Sequence, residues 1–222
     1  MAPSRLALYA VMGVGVWLMA SASVSYLELG RRHPFFLEKL PLTHPKWWLA
    51  ALYVHVPSAL FALPSCLLLS VRRFPVRFPS IHRWLGRVTA ALLLLAVVPS
   101  GMYLACFARG GLPSTLGFWL TGMITFVAMA KSVAYARERR MRDHRRMSAH
   151  VTAQLAVAVV SRFLLAGAEQ LGLYDDWGYV AALWLPIFAC ALVAEATTGL
   201  LHLTKGSRHE ALVDVSPLDA VR

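Results

Sequence analysis

Two histidine–arginine pairs, His82-Arg83 and His144-Arg145, each follow a strongly basic loop and each open a long apolar segment. Imidazole nitrogens ligate haem iron and other metals. Bis-histidine ligation in a helical bundle needs one imidazole on each of two helices at a common depth. The duplicated placement meets that requirement if both segments are helices. Arg83, Arg87 and Arg145 would then form a basic rim suited to haem propionates. His150 follows His144 by six residues, and His150, Gln154 and Ser161 share one face of a helix. His150 is therefore an alternative partner for His82. Gly86, four residues after His82, would leave room for a flat macrocycle.

The elements that must hold these residues are transmembrane helices. Of 222 residues, 58% are hydrophobic and only 15% charged, and the mean hydropathy is +0.58. A soluble domain of this size could not cover so much apolar surface. A spanning helix needs about 20 mostly apolar residues, and six stretches qualify: 6–28, 47–70, 83–107, 115–136, 147–168 and 179–203. The fold class is all-α, a membrane bundle whose core is two helical hairpins, helices 2–3 and 4–5. Residues 1–204 form this domain, and 205–222, polar and mixed in charge, are expected to be a flexible cytoplasmic tail. Pro57, Pro64, Pro99 and Pro186 fall inside the stretches and are expected to kink helices, since neighbours re-satisfy the freed carbonyls. Ala20-Ser21-Ala22 resembles a signal-peptide cleavage site. The apolar run continues past it to Leu29, so an uncleaved first helix is expected.

Charge sets the orientation. One loop region carries Arg72, Arg73, Arg77, Arg83 and Arg87. Another carries Lys131, Arg137, Arg139, Arg140, Arg142, Arg145 and Arg146, and together they hold 12 of the 22 basic residues. Positive loops stay cytoplasmic, so both chain ends are expected inside a bacterial inner membrane. Arg31, Arg32, Lys39 and Lys46 dissent mildly. The net charge of +11 is thus a topology signal, not a nucleic-acid signal. Anionic lipid headgroups suit the inner loops. Trp47, Trp48, Trp84, Tyr103, Trp177 and Tyr179 read as interfacial anchors. Cys66, Cys106 and Cys190 lie within segments, read as packing residues, and imply no disulfide.

Other polar groups lie within the apolar segments. Glu195, Thr198, Gly199 and His202 make a stripe on the last one. Ionisable groups in a bilayer are expensive, so Arg162 and Glu195 are expected to face the bundle interior as a polar network with Gln154 and His202. Their depths differ by roughly 10 Å at ~1.5 Å rise per residue, so an ion pair requires Arg162 to reach inward. His55 sits in the second segment, where a satisfied bundle histidine competes with ligation. Three histidines such as His82, His150 and His202 with Glu195 as general base would suit a zinc hydrolase, although no HExxH or HxxxH spacing supports it.

His55, then Ile81-His82-Arg83-Trp84-Leu85-Gly86-Arg87, then Asp143-His144-Arg145-Arg146, Arg162 and a last helix with Trp184, Pro186 and Glu195 form an ordered set. It resembles the bacterial membrane proteins grouped as domain of unknown function 2306, over roughly residues 48–200, with the HRxxGR segment as the most specific part. The chain departs from the family pattern at Met147, Ser148 and His150. A looser resemblance is to six-helix di-haem b-type membrane cytochromes. It implies a haem held by His82 with His144 or His150, and a second haem opposite His55. No histidine occurs in 115–136 to complete that second pair. The resulting expectation is a multi-pass b-type haem protein exchanging electrons, with a quinone as a further cofactor. Its partners would be a redox protein or the subunits of a membrane complex. The alternatives are a zinc-dependent membrane hydrolase and a cofactor-free accessory or transport subunit.

Overall fold

Proline opens three of the long helices, α1 (Pro3–Leu29), α2 (Pro45–Leu69) and α3 (Pro79–Ala105). At the first helical position its missing N–H is no loss, and its fixed φ is already helical. His44 and Phe78, the residues before Pro45 and Pro79, are pushed out of the helical region to φ −135° and −134°. Three further helices follow, α4 (Gly111–Arg137), α5 (Met141–Gln170) and α6 (Asp176–Val213), and a single helical turn at Phe74–Arg77 sits between α2 and α3. This computed structural model describes residues 3–29, 36–37, 39–40, 42 and 44–213, with side chains at 10–23, 36–37, 39–40, 42 and 44–198. No strand occurs among the described residues.

Five helices are long and apolar enough to cross a membrane: α2 to α5, and α6 over Asp176–Thr198. In α1 the apolar stretch with described side chains is shorter, Ala10–Ser23. The helices overrun the expected apolar segments, most of all α5, which begins at Met141 and not at 147, and α6, which runs on to Val213. A helix does not stop where its residues turn polar, because the backbone ladder continues through the solvated MRDHRR turn. The part of the expected tail from Lys205 to Val213 is therefore helical backbone, while 214–222 lie outside the described residues.

The core joins the two hairpins. Ala62 and Cys66 of α2, Ala90, Leu93 and Val97 of α3, Ala128 and Met129 of α4 and Val151 of α5 are buried against one another. Helix α5 packs most extensively on α4 and α6, through Val157, Leu183 and Ile187. Helix α1 lies on α2 and α5, where Met12, Leu63 and Val159 meet. The approach is so close that a Cβ on Gly15 would collide with Val159. Trp48, expected as an interfacial anchor, is instead buried against Phe36, their ring centroids 5.6 Å apart. Trp47, Trp84 and Trp177 are exposed.

Helix α3 widens at Leu93–Val97, where Val98 N–H bonds the Leu93 carbonyl five residues back. Pro99 has no N–H for the Leu95 carbonyl and its ring crowds the preceding turn, so the helix absorbs the strain as a π-turn. Helices α4 and α5 both end in a Schellman motif. After α5, Leu173 N–H reaches the Ala168 carbonyl at 2.8 Å with Gly172 at φ 71°. After α4, Arg140 N–H reaches the Tyr135 carbonyl at 2.9 Å with Arg139 in the left-handed position at φ 58°. A non-glycine residue there costs roughly 1 kcal/mol.

Candidate functional site

His82 and His144 occupy matching positions, each the fourth residue of its helix, with backbone N–H groups bonded to Phe78 and Arg140 carbonyls. The two rings are electrostatic neighbours across the bundle. His144 donates from Nδ1 to the Ser132 carbonyl at 2.9 Å, with Ser132 Oγ at 3.0 Å. A carbonyl can only accept, so Nδ1 carries the proton, and the neutral form of the ring would have its lone pair on Nε2. Ser132 Oγ also meets Ser148 Oγ at 2.8 Å, tying α4 to α5. His82 packs edge-on against Phe74, centroids 6.0 Å apart, and its buried Nδ1 has no hydrogen-bond partner. On the same face, Thr89 is fully buried with its hydroxyl also unpartnered, and a Cβ added at Gly86 would meet nothing within 4 Å. Arg83, Arg87 and Arg145 are exposed at this end.

A second cluster is built from α5 and α6. Glu195 accepts from Arg146 through both oxygens, at 2.8 Å from one terminal nitrogen and 3.1 and 3.2 Å from Nε. It also accepts from His150 Nε2 at 2.9 Å. One turn further along α5, buried Gln154 accepts from Thr121 Oγ1 of α4 at 2.7 Å and donates to the Ile187 carbonyl of α6 at 3.3 Å. Arg146, His150 and Gln154, four residues apart, are thus one polar stripe that fastens α5 to both neighbours.

The third histidine lies deeper. His55 of α2 donates from Nδ1 to the Val97 carbonyl at 3.0 Å, inside the π-turn of α3, with Ser100 Oγ at 3.2 Å. Its ring is pressed against Gly101, where a Cβ would fall 2.8 Å from His55 Cε1. Gly101→Ala should therefore lower stability by about 1–3 kcal/mol, the usual cost of overpacking, despite the gain in helix propensity. A melting curve in mild detergent that does not move downward would remove His55 from this contact.

Among the described residues, no group of three or more His, Cys, Asp and Glu side chains is placed to hold a metal ion. Of the zinc set of His82, His150 and His202 with Glu195, His150 and Glu195 are bonded to each other, and the side chain of His202 lies outside the described residues. Cys66 is buried, Cys106 exposed, and all three cysteines are free thiols.

Residues 52–198 match the family described as Predicted membrane protein (DUF2306). The match covers well over half of the chain. This protein belongs to the DUF2306 family. The matched segment runs from α2 into α6 and contains every site residue above, leaving α1 and His202 outside. No curated protein and no solved structure matches the chain.

In this DUF2306 chain Arg162, expected to face the bundle interior in one polar network with Glu195, is exposed and does not reach inward to it. Glu195 is taken by Arg146 and His150, and Arg162 donates to its own helix at the Ala158 carbonyl, 2.8 Å away. Arg162 is an electrostatic neighbour of His55 instead. Glu195 lies level with His150, and Arg162 is twelve residues further along α5, about 18 Å along the axis and beyond side-chain reach. His150, offered as an alternative ligand, has Nε2 occupied. Ser132, Thr121 and Arg146 were not anticipated as partners. Thr121, Thr125 and Ser132 nevertheless follow helical spacing along α4, and that stripe was the available signal.

Proposed function

We propose that this chain is a six-span protein of the bacterial inner membrane, both ends cytoplasmic, that holds one b-type haem between His82 and His144 and transfers electrons. The observation that carries the reading is the state of His144. Histidines that ligate metals donate their other ring N–H to a carbonyl or carboxylate, and His144 does so to Ser132. His82 supports it with a buried ring nitrogen that no protein group satisfies, and Gly86 with open space one turn away. Arg83, Arg87 and Arg145 would hold the propionates by charge-assisted hydrogen bonds. When bound, haem would supply one-electron chemistry, with a quinone or a membrane subunit as the exchange partner. The protein's share is to fix the imidazoles and, through the Ser132 carbonyl, to hold the His144 proton on Nδ1 so that Nε2 would be the ligating nitrogen.

The basic residues of the 70–87 and 131–146 regions place that end in the cytoplasm by the positive-inside rule. A second reading, a cofactor-free subunit of a membrane complex, draws on the Arg146–Glu195–His150 cluster, whose side chains bond one another without a ligand. The separating experiment is a dithionite-reduced minus oxidised visible spectrum of protein expressed with haem available. A sharp low-spin α-band is expected. A flat spectrum from folded protein rejects the redox reading and leaves the second.

A further inference from the structure

The outward face of α4 and α5 carries a groove of about 330 Å³. Met123, Ile124 and Val127 of α4 and Met147 of α5 form its apolar wall, and Lys131 and His150 are its polar groups. Met123 and Val127 are among the exposed large hydrophobic residues, so the groove opens where acyl chains pack. Lys131 lies six residues before the end of α4, about 9 Å along the axis. That depth is within reach of the phosphate and glycerol layer for a lysine that extends its amine toward the surface.

The charges at this end do not cancel. Glu195 is shared by Arg146 and His150, and Arg140 takes Glu138 and Asp143. No described carboxylate pairs with Lys131. An apolar slot ending in one uncompensated cation, at headgroup depth, complements an amphiphile with a single anionic head. His150, held through Nε2 by Glu195, lines the polar end of the slot beside Lys131.

We propose that this groove is a specific site for an anionic phospholipid, its phosphate on Lys131 and one acyl chain along Met123, Ile124 and Val127. The site is independent of any haem at His82 and His144.

The test is lipid retention. Protein in nanodiscs of mixed phosphatidylglycerol and phosphatidylcholine is released and weighed by native mass spectrometry, and melting in detergent is followed with each lipid or with inorganic phosphate. Wild type should retain phosphatidylglycerol preferentially and melt higher with it. Lys131→Met should weaken retention about fivefold, the usual worth of one lysine near an anionic surface. Val127→Trp, which fills the slot but keeps the lysine, should also lose the lipid. Arg142→Ala, in the basic turn outside the groove, should retain it. Equal effects of both lipids, unchanged retention in Lys131→Met, or an equal loss in Arg142→Ala would overturn the site. A full stabilising effect from inorganic phosphate alone would replace the lipid by a free anion and also overturn it.

Discussion

His144→Ala and His82→Ala are each expected to abolish the low-spin α-band, while His150→Ala leaves it in place. The argument runs through ring nitrogens. His144 spends Nδ1–H on the Ser132 carbonyl at 2.9 Å, so on the proposed reading its remaining nitrogen would be the ligand, and alanine removes it outright. His82 offers a buried ring with an unsatisfied nitrogen. His150 differs in kind, because Nε2 is bonded to Glu195 at 2.9 Å, and its loss should disturb the α5–α6 contact, not the haem. His82 and His144 would together hold the haem, so loss of either imidazole would weaken or abolish its binding, a change the visible spectrum reads directly. Ser132→Ala should be milder than either, since its backbone carbonyl, the acceptor for His144, stays in place. A band that survives in both His82→Ala and His144→Ala, in protein that elutes and melts as wild type does, would sink the ligand assignment. A band lost in His150→Ala but kept in His144→Ala would move the ligand by six residues.

The membrane class and the order of the long helices were legible because run length and composition are one-dimensional properties. So was the matched placement of His82 and His144 just before two apolar segments, although the helices themselves begin at Pro79 and Met141 and not at 83 and 147. Helix ends were less legible, because polar residues at 137–146 and 203–213 are compatible with helix once an apolar core has nucleated it. Partners were least legible. Glu195 could be placed in a helix and judged expensive, yet the choice between Arg162 and Arg146 depends on the azimuth and vertical register of α6 against α5. Packing of Ile187 and Leu183 on Val157 sets both, and no single segment encodes that. Arg146 was also absorbed into the topology count as one more positive-inside charge, although its spacing of four from His150 marked it as the same stripe. Trp48 shows the converse error: an aromatic near a segment end reads as an anchor until another aromatic, Phe36, is found to cover it.

Glu195→Leu should cost about 1–2 kcal/mol, and Arg162→Leu should stay within about 0.5 kcal/mol of wild type. Hydrogen bonds to charged groups contribute roughly 1.5–3 kcal/mol when shielded. Here Arg146 and Glu195 are 47% and 43% exposed, so screening lowers the worth of that pair. His150 raises it again, because its side chain is only 13% exposed and its Nε2–H would be left without an acceptor. Glu195→Gln should lie between, since an amide oxygen still accepts one of the bonds without the charge. Arg162 is the opposite case. It is exposed, it donates to the Ala158 carbonyl of its own helix, and no described carboxylate depends on it. Leucine there removes a charge from the apolar half of α5 and leaves no acidic partner stranded. Melting temperatures in one detergent at one pH settle the order. If Arg162→Leu melts well below Glu195→Leu, the polar network of this bundle is centred on the His55 side, and the Arg146–Glu195–His150 cluster is only a surface ion pair.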